Sequence, residues 1–134
     1  PETTRKDGYA ILNADDELVF GMARGLDCNV ALFSMDENNP RIKAHCEDGG
    51  LATVYENGYI SRLKGTWKIR IVAARDVPLT FEGKAIHNIA NCLPAVLAAY
   101  IFKDVSIAEI KQALLTFVPG DALTPGRLNF FHFR

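Results

Sequence analysis

Tyr9-Ala-Ile-Leu-Asn13-Ala-Asp15-Asp16 and Asn29-Val-Ala-Leu-Phe-Ser34 are the segments whose reading decides the fold. Each holds a short, unbroken apolar run bounded by turn formers, the pattern of a strand buried on both faces. Between them Leu18, Val19 and Met22 fall on one face of a helix. Asp15 is placed to cap that helix and Gly25 to stop it. Asp36-Glu-Asn-Asn-Pro40 then turns the chain into a second short helix through Ile42, Ala44 and His45. Strand–helix–strand order with short connections predicts parallel strands in an α/β sheet.

Further along, the period changes. Leu51 to Glu56 runs into Asn57-Gly58, the strongest two-residue hairpin signal, and Tyr59 to Leu63 follows. After a turn at Lys64-Gly65, Trp67, Ile69 and Ile71 alternate with Lys68 and Arg70, which predicts a half-buried strand. An antiparallel meander of about three strands is therefore expected, joined to the α/β part at Gly49-Gly50. Beyond Val77-Pro78 comes Gly83-Lys-Ala-Ile-His-Asn-Ile-Ala-Asn-Cys-Leu-Pro-Ala-Val-Leu-Ala-Ala-Tyr100. It begins with polar His87, Asn88 and Asn91 and continues as the most apolar helix, with Ile89, Leu93, Val96, Leu97 and Ile101 at buried-face spacing. Ser106-Ile-Ala-Glu109 fits a capping box ahead of a stripe of Ile107, Ile110 and Leu114. The expectation is one α/β domain over residues 1–134: short parallel strand–helix units, an antiparallel β meander and two packed C-terminal helices.

Composition narrows the function classes. The 134 residues are 49% hydrophobic and 23% charged, ordinary for a soluble globular chain, and the formal net charge is −1. Such a balance gives no global field toward nucleic acid or anionic membrane. Leu93 to Phe102 is too short an apolar run to span a bilayer. Cys28, Cys46 and Cys92 are widely spaced and include no Cys-x-x-Cys pair, which argues for reduced thiols and a cytoplasmic location. No apolar leader is visible at the N-terminus. Residue 1 is Pro, and the chain stops at Arg134 just after the strand-like run Leu-Asn-Phe-Phe-His-Phe. A raw strand end is an aggregation hazard, so a piece of a larger protein is expected. Phe130, Phe131 and Phe133 in that run offer a way for two copies to pair as a homo-oligomer.

Few residues carry chemistry. Asn88 and Asn91, three apart, share a helix face, and their amides offer the donors and acceptors that read a purine edge. They serve equally as helix-start residues, with His87 a turn residue. Asp15 and Asp16 at a strand end suit a helix cap or, alternatively, a magnesium ion or a ribose. His45, His87 and His132 are too far apart for a zinc site. No nucleophile elbow and no Gly-x-x-x-x-Gly-Lys-Ser/Thr phosphate loop is present. Arg127, between Pro-Gly and the last apolar run, is placed to reach a phosphate. Chemistry alone stops at a candidate nucleotide pocket.

Three segments in order extend this reading: Tyr-Ala-Ile-Leu-Asn-Ala-Asp-Asp-Glu (9–17), Gly-Lys-Ala-Ile-His-Asn-Ile-Ala-Asn (83–91) and Thr-Pro-Gly-Arg-Leu-Asn (124–129). Together they resemble the Mur-type ATP-dependent amide ligases and cover the second half of their central domain. Phe-Ser-Met-Asp (33–36) and Asp-Val-Pro-Leu-Thr (76–80) resemble the cyanophycin synthetase branch of that superfamily. The resemblance implies that Asn88 and Asn91, with His87 beside them, lie at the adenine of ATP, and that Arg127 reaches its phosphates. It implies an acyl-phosphate ligase that adds arginine to the aspartate side chains of an acidic poly-aspartate acceptor. The phosphate loop and the magnesium ligands are expected outside this chain, which alone is expected to be inactive. A stand-alone module of the same fold that binds nucleotide, polymer or another subunit without catalysis is the alternative. Pro94 departs from the family pattern and is expected to bend or delay its helix.

Overall fold

The computed structural model describes residues 8–21 and 29–116. In chain order the elements are β1 (Tyr9–Asn13), α1 (Glu17–Gly21), β2 (Asn29–Ser34), α2 (Pro40–Glu47), β3 (Leu51–Glu56), β4 (Tyr59–Lys64) and β5 (Trp67–Ala73), then two short 3-10 turns, α3 (Ile86–Phe102) and α4 (Ile107–Thr116). The five strands make one sheet in sequential order. β1, β2 and β3 are parallel, whereas β3, β4 and β5 are antiparallel, so β3 is the strand at which the sheet changes character.

Alternation along the strands gives the sheet two apolar faces. Leu12, Leu32, Ala52 and Val54 point one way and pack with Ile42 of α2. Ala31 and Leu51 point the other way and pack beneath Leu97 of α3. Farther along that second face, Ile60, Ile71 and Val72 meet Leu93 and Val96 of α3 and Ile110 and Leu114 of α4. Thr53, buried in this layer, donates its hydroxyl to the Leu93 carbonyl at 3.0 Å and ties the central strand to the helix.

Local signals explain most boundaries. Asn39 caps α2 by accepting from the Arg41 amide at 2.8 Å, with Pro40 at the first helical position. Asn57 and Gly58 both have positive φ, the geometry of a tight two-residue hairpin turn. The capping box at α4 is closed from both sides: Ser106 N–H donates to Glu109 Oε1 at 3.0 Å, and Glu109 N–H donates to Ser106 Oγ at 3.1 Å.

Several expectations are corrected. The cap of α1 is Asp16, whose Oδ1 accepts from Leu18 N–H at 3.0 Å, and not Asp15. Leu18 is 85% exposed instead of buried; Met22 and Gly25 lie outside the described residues. β5 does not alternate through its length, for Trp67 is 73% exposed while Ile71 and Val72 are both buried. A register shift between Ile60 and Ser61 places Val72 opposite Ile60 and Arg70 opposite Ser61, so Ile71 is an extra residue that turns inward. Pro94 does not delay α3, which continues through it for 17 residues. The proline withholds one N–H from the Ala90 carbonyl, but Ile89, Cys92 and Leu93 before it and Val96, Leu97 and Ala99 after it are all buried. Packing on both sides of Pro94 holds the helix together.

Candidate functional site

The carboxyl ends of the parallel strands are where ligands bind in open α/β sheets. Here those ends are Asn13, Ser34 and Glu56. β5 finishes beside the last of them, since Ala73 pairs with Tyr59 and the Ala74 amide donates to the Gly58 carbonyl at 2.8 Å.

The segment between β5 and α3 is held at this end by one buried hydroxyl. Thr80 Oγ1 donates toward the Ala74 and Val77 carbonyls and accepts from Gly83 N–H at 3.0 Å. Phe81, Glu82 and Gly83 follow with φ of 52°, 62° and 84°. Two consecutive non-glycine residues in the left-handed region are a strained passage, and their surroundings must hold them there. α3 then starts at Ile86. Its N-cap is Ala85, with no side-chain cap bond, so neither Asn88 nor Asn91 serves as the cap.

The structure separates the two amides by role. Asn88 is half-buried and donates Nδ2–H to the Leu79 carbonyl at 2.8 Å, a clamp between α3 and the preceding turn. A carbonyl only accepts, so this bond fixes the amide orientation and leaves Oδ1 as the free acceptor. Asn91 is exposed one turn later, and its amide makes no hydrogen bond among the described residues. His87 is exposed beside them, as are Phe81 at 57% and Ile86 at 52%. Four cavities, beside Ile42 and Leu63, beneath His45, and on either side of Arg75, have linings that do not include His87, Asn88 or Asn91. Arg127 and His132 lie outside the described residues.

At the ends of β1 and β2, Asp15 is a brace. Its Oδ1 accepts from Ser34 Oγ at 2.6 Å and Asn39 Nδ2 at 2.8 Å, and its Oδ2 accepts from Met35 N–H at 2.9 Å. Burial alone would raise its pKa, but the Ser34, Met35 and Asn39 hydrogen bonds, helped by Arg41, hold it below the ordinary value. Among the described residues no group of three or more His, Cys, Asp or Glu is arranged to hold a metal. Neither thiol among the described residues offers a nucleophile. Burial pushes the Cys92 thiol up to about 12, and Cys46 is raised for the same reason.

A polar cluster that sequence reasoning missed sits at the hairpin. Glu56, with its side chain 1% exposed, accepts from Arg70 Nε at 2.8 Å, Arg70 Nη2 at 3.3 Å, Ser61 Oγ at 2.9 Å and Lys68 Nζ at 3.3 Å. The Arg70 guanidinium lies over the Tyr59 ring, 4.6 Å from its centroid. Desolvation works against the charged carboxylate, yet these donors hold the Glu56 pKa below its usual range. Part of the signal was available: Asn57-Gly58 sets the β3–β4 register, which places Ser61 opposite Val54, next to Glu56 on one face, whereas Arg70 comes opposite Ser61 only through the register shift between β4 and β5.

No described helix is long and apolar enough to cross a membrane. No family model matches the chain. It is similar to the cyanophycin synthetase of Trichormus variabilis, 46% identical over 131 residues that make up 98% of this chain and 14% of that protein. The cyanophycin synthetase of Crocosphaera subtropica is 47% identical over 131 residues, 98% of this chain and 15% of that protein. A UDP-N-acetylmuramate–L-alanine ligase of Acetivibrio thermocellus is 30% identical over 114 residues, 84% of this chain and 22% of that protein. The chain thus spans about 14% of the length of the cyanophycin synthetases it matches.

Proposed function

Because the chain belongs to the cyanophycin synthetase family along nearly its whole length, we propose that it supplies the adenine side of the ATP site in an ATP-dependent amide ligase of that kind. The observation that carries this reading is 46% identity across 98% of the chain. The weaker likeness to a muramate–alanine ligase is consistent with the same ligase class.

Within the chain, the start of α3 suits the task. Asn91 presents a whole amide, one donor group and one acceptor, and Asn88 contributes its free Oδ1 to an exocyclic amine. Exposed Phe81 and Ile86 supply apolar surface for a planar base. Arg127 is assigned to the nucleotide phosphates. In the ligase reaction proposed for the whole protein, a carboxylate oxygen of a poly-aspartate side chain attacks the terminal phosphorus of ATP and ADP leaves. The arginine amine then displaces phosphate from the acyl phosphate and loses a proton, giving the amide. Magnesium would neutralise the phosphates; its ligands are assigned to other parts of such a ligase, because the described residues offer no set for it.

By this reading the chain alone is inactive. Incubation with ATP, arginine and poly-aspartate should release no phosphate above background. In a full ligase carrying this sequence, Asn91→Ala should raise KM for ATP several-fold with kcat little changed. An unchanged KM removes Asn91 from the pocket, and turnover by the 134-residue chain overturns the division of labour.

A further inference from the structure

Two adjoining cavities lie on the β5 side of the hairpin, the smaller reaching Glu82 and Gly83 ahead of α3. One, of about 380 Å³, is bounded by Tyr59, Arg70, Arg75, Asp76, Lys111 and Leu115. The other, of about 200 Å³, is bounded by Tyr55, Asn57, Gly58, Arg75 and Glu82. They share Tyr59, Ala73 and Arg75, so they form one cleft that straddles the Arg75 side chain.

The charges of the larger cavity are unbalanced. Three cations, Arg70, Arg75 and Lys111, line it against one acid, Asp76, while Glu82 lines the smaller cavity and Glu37 also acts on Arg70. Glu56 is spent on Arg70 and Lys68, while Arg75 and Lys111 form no ion pair among the described residues. Arg70 is also pre-positioned. Its Nε and Nη2 are fixed by Glu56 and its plane by Tyr59, which leaves the Nη1 hydrogens without a described partner. A guanidinium whose geometry is already set loses little conformational freedom on binding an anion. Holding Arg70 in this way gives a reason to bury a carboxylate at the end of β3, where an apolar residue would pack as well.

We propose that this cleft binds a small dianion bearing carboxylate or phosphate groups, held by Arg70, Arg75 and Lys111, with Glu56 as a positioning residue for Arg70. The smaller cavity, with its two tyrosines, the polar hairpin turn and Glu82, takes the uncharged or cationic remainder of the ligand. The assignment does not depend on the nucleotide reading, since it uses none of His87, Asn88, Asn91 or Arg127.

The test is an NMR titration of the ¹⁵N-labelled 134-residue chain with inorganic phosphate and, separately, with succinate, both at fixed ionic strength. Saturable shifts are expected at the amides of Gly58, Ala73, Arg75 and Lys111, with a dissociation constant on the order of 1–10 mM. Arg75→Ala and Lys111→Ala, both at exposed positions that leave the fold intact, should each weaken binding at least about fivefold. Arg70→Lys, which keeps the charge and loses the fork, should weaken it comparably. Saturation by phosphate alone identifies a phosphate ligand, and by succinate alone a dicarboxylate. Shifts that grow without saturation, that chloride reproduces, or that are the same size in the Arg75 and Lys111 variants overturn the proposal.

Discussion

Replacing Glu56 by glutamine removes one negative charge from a site where two cations and a hydroxyl converge. The carboxylate is buried, but Arg70 and Lys68 are each 45% exposed at their side chains. Each ion pair is therefore screened by water on its outer side and contributes about 0.5–1 kcal/mol. The Ser61 hydrogen bond to a buried charged acceptor adds about 1–1.5 kcal/mol. The substituted amide would retain one acceptor and turn its N–H₂ group toward a cation. The expected loss is about 2–3 kcal/mol, below the range for a fully buried pair. For a chain of this size that lowers Tm by about 6–12 °C. Urea unfolding at neutral pH measures the loss, and a double-mutant cycle with Arg70→Gln should return a coupling of about 1 kcal/mol. Acid provides a second check. The folded-state pKa of Glu56 lies below its ordinary value of 4.5, so the charged group's contribution is present above pH 4.5 and is lost as pH falls through the folded value. The gap between wild type and Glu56→Gln should therefore close in acid. A loss under about 0.5 kcal/mol, no coupling to Arg70, or a gap that does not change with pH would refute the reasoning.

Other outcomes follow from the joint between α2 and β3. A Cβ on Gly50 would collide with the His45 ring, whose Nε2–H donates to the Leu51 carbonyl at 3.0 Å. Gly50→Ala should lose about 1–2 kcal/mol by displacing that ring, and its effect should be markedly smaller in a His45→Ala background; strict additivity in urea melts would contradict this. Burial pushes the His45 pKa below 6.5, against opposing effects of the Leu51 carbonyl and Asp48. The unfolded chain therefore takes up the proton first, and stability should begin to fall as pH drops below 6.5. His45→Gln should flatten that limb just below pH 6.5 in urea midpoints; an unchanged slope would place the titrating group elsewhere.

The parts of the fold legible in the sequence are those whose causes are local. Asn57-Gly58 demands positive φ, Asn39-Pro40 starts a helix, and Ser106 with Glu109 closes a capping box, so each is readable within four residues. Parallel β1 to β3 followed by an antiparallel meander was readable from period and turn chemistry together. What escaped depends on distant partners. Whether Asp15 or Asp16 caps α1 is decided by Ser34 and Asn39, which capture Asp15 from across the sheet. The inward turn of Ile71 depends on a register shift against Ile60 that no pattern within β5 encodes. Glu56 stood in the sequence only as the last residue of a strand before a hairpin, because its partners arrive on the next two strands. At the start of α3 the shared face of Asn88 and Asn91 was legible from spacing, but the Leu79 clamp that occupies Asn88 Nδ2 was not.

The most direct test of the adenine-side assignment is the response of the Asn91 side-chain amide to ATP in the labelled 134-residue chain. The side-chain N–H₂ signals of Asn91 and, more weakly, Asn88 should shift with ATP. The dissociation constant should be no tighter than about 1 mM, and Asn91→Ala should abolish the response at the remaining Asn88 signal. ATP-induced shifts confined to other surfaces, or binding that Asn91→Ala leaves unchanged, would contradict the assignment.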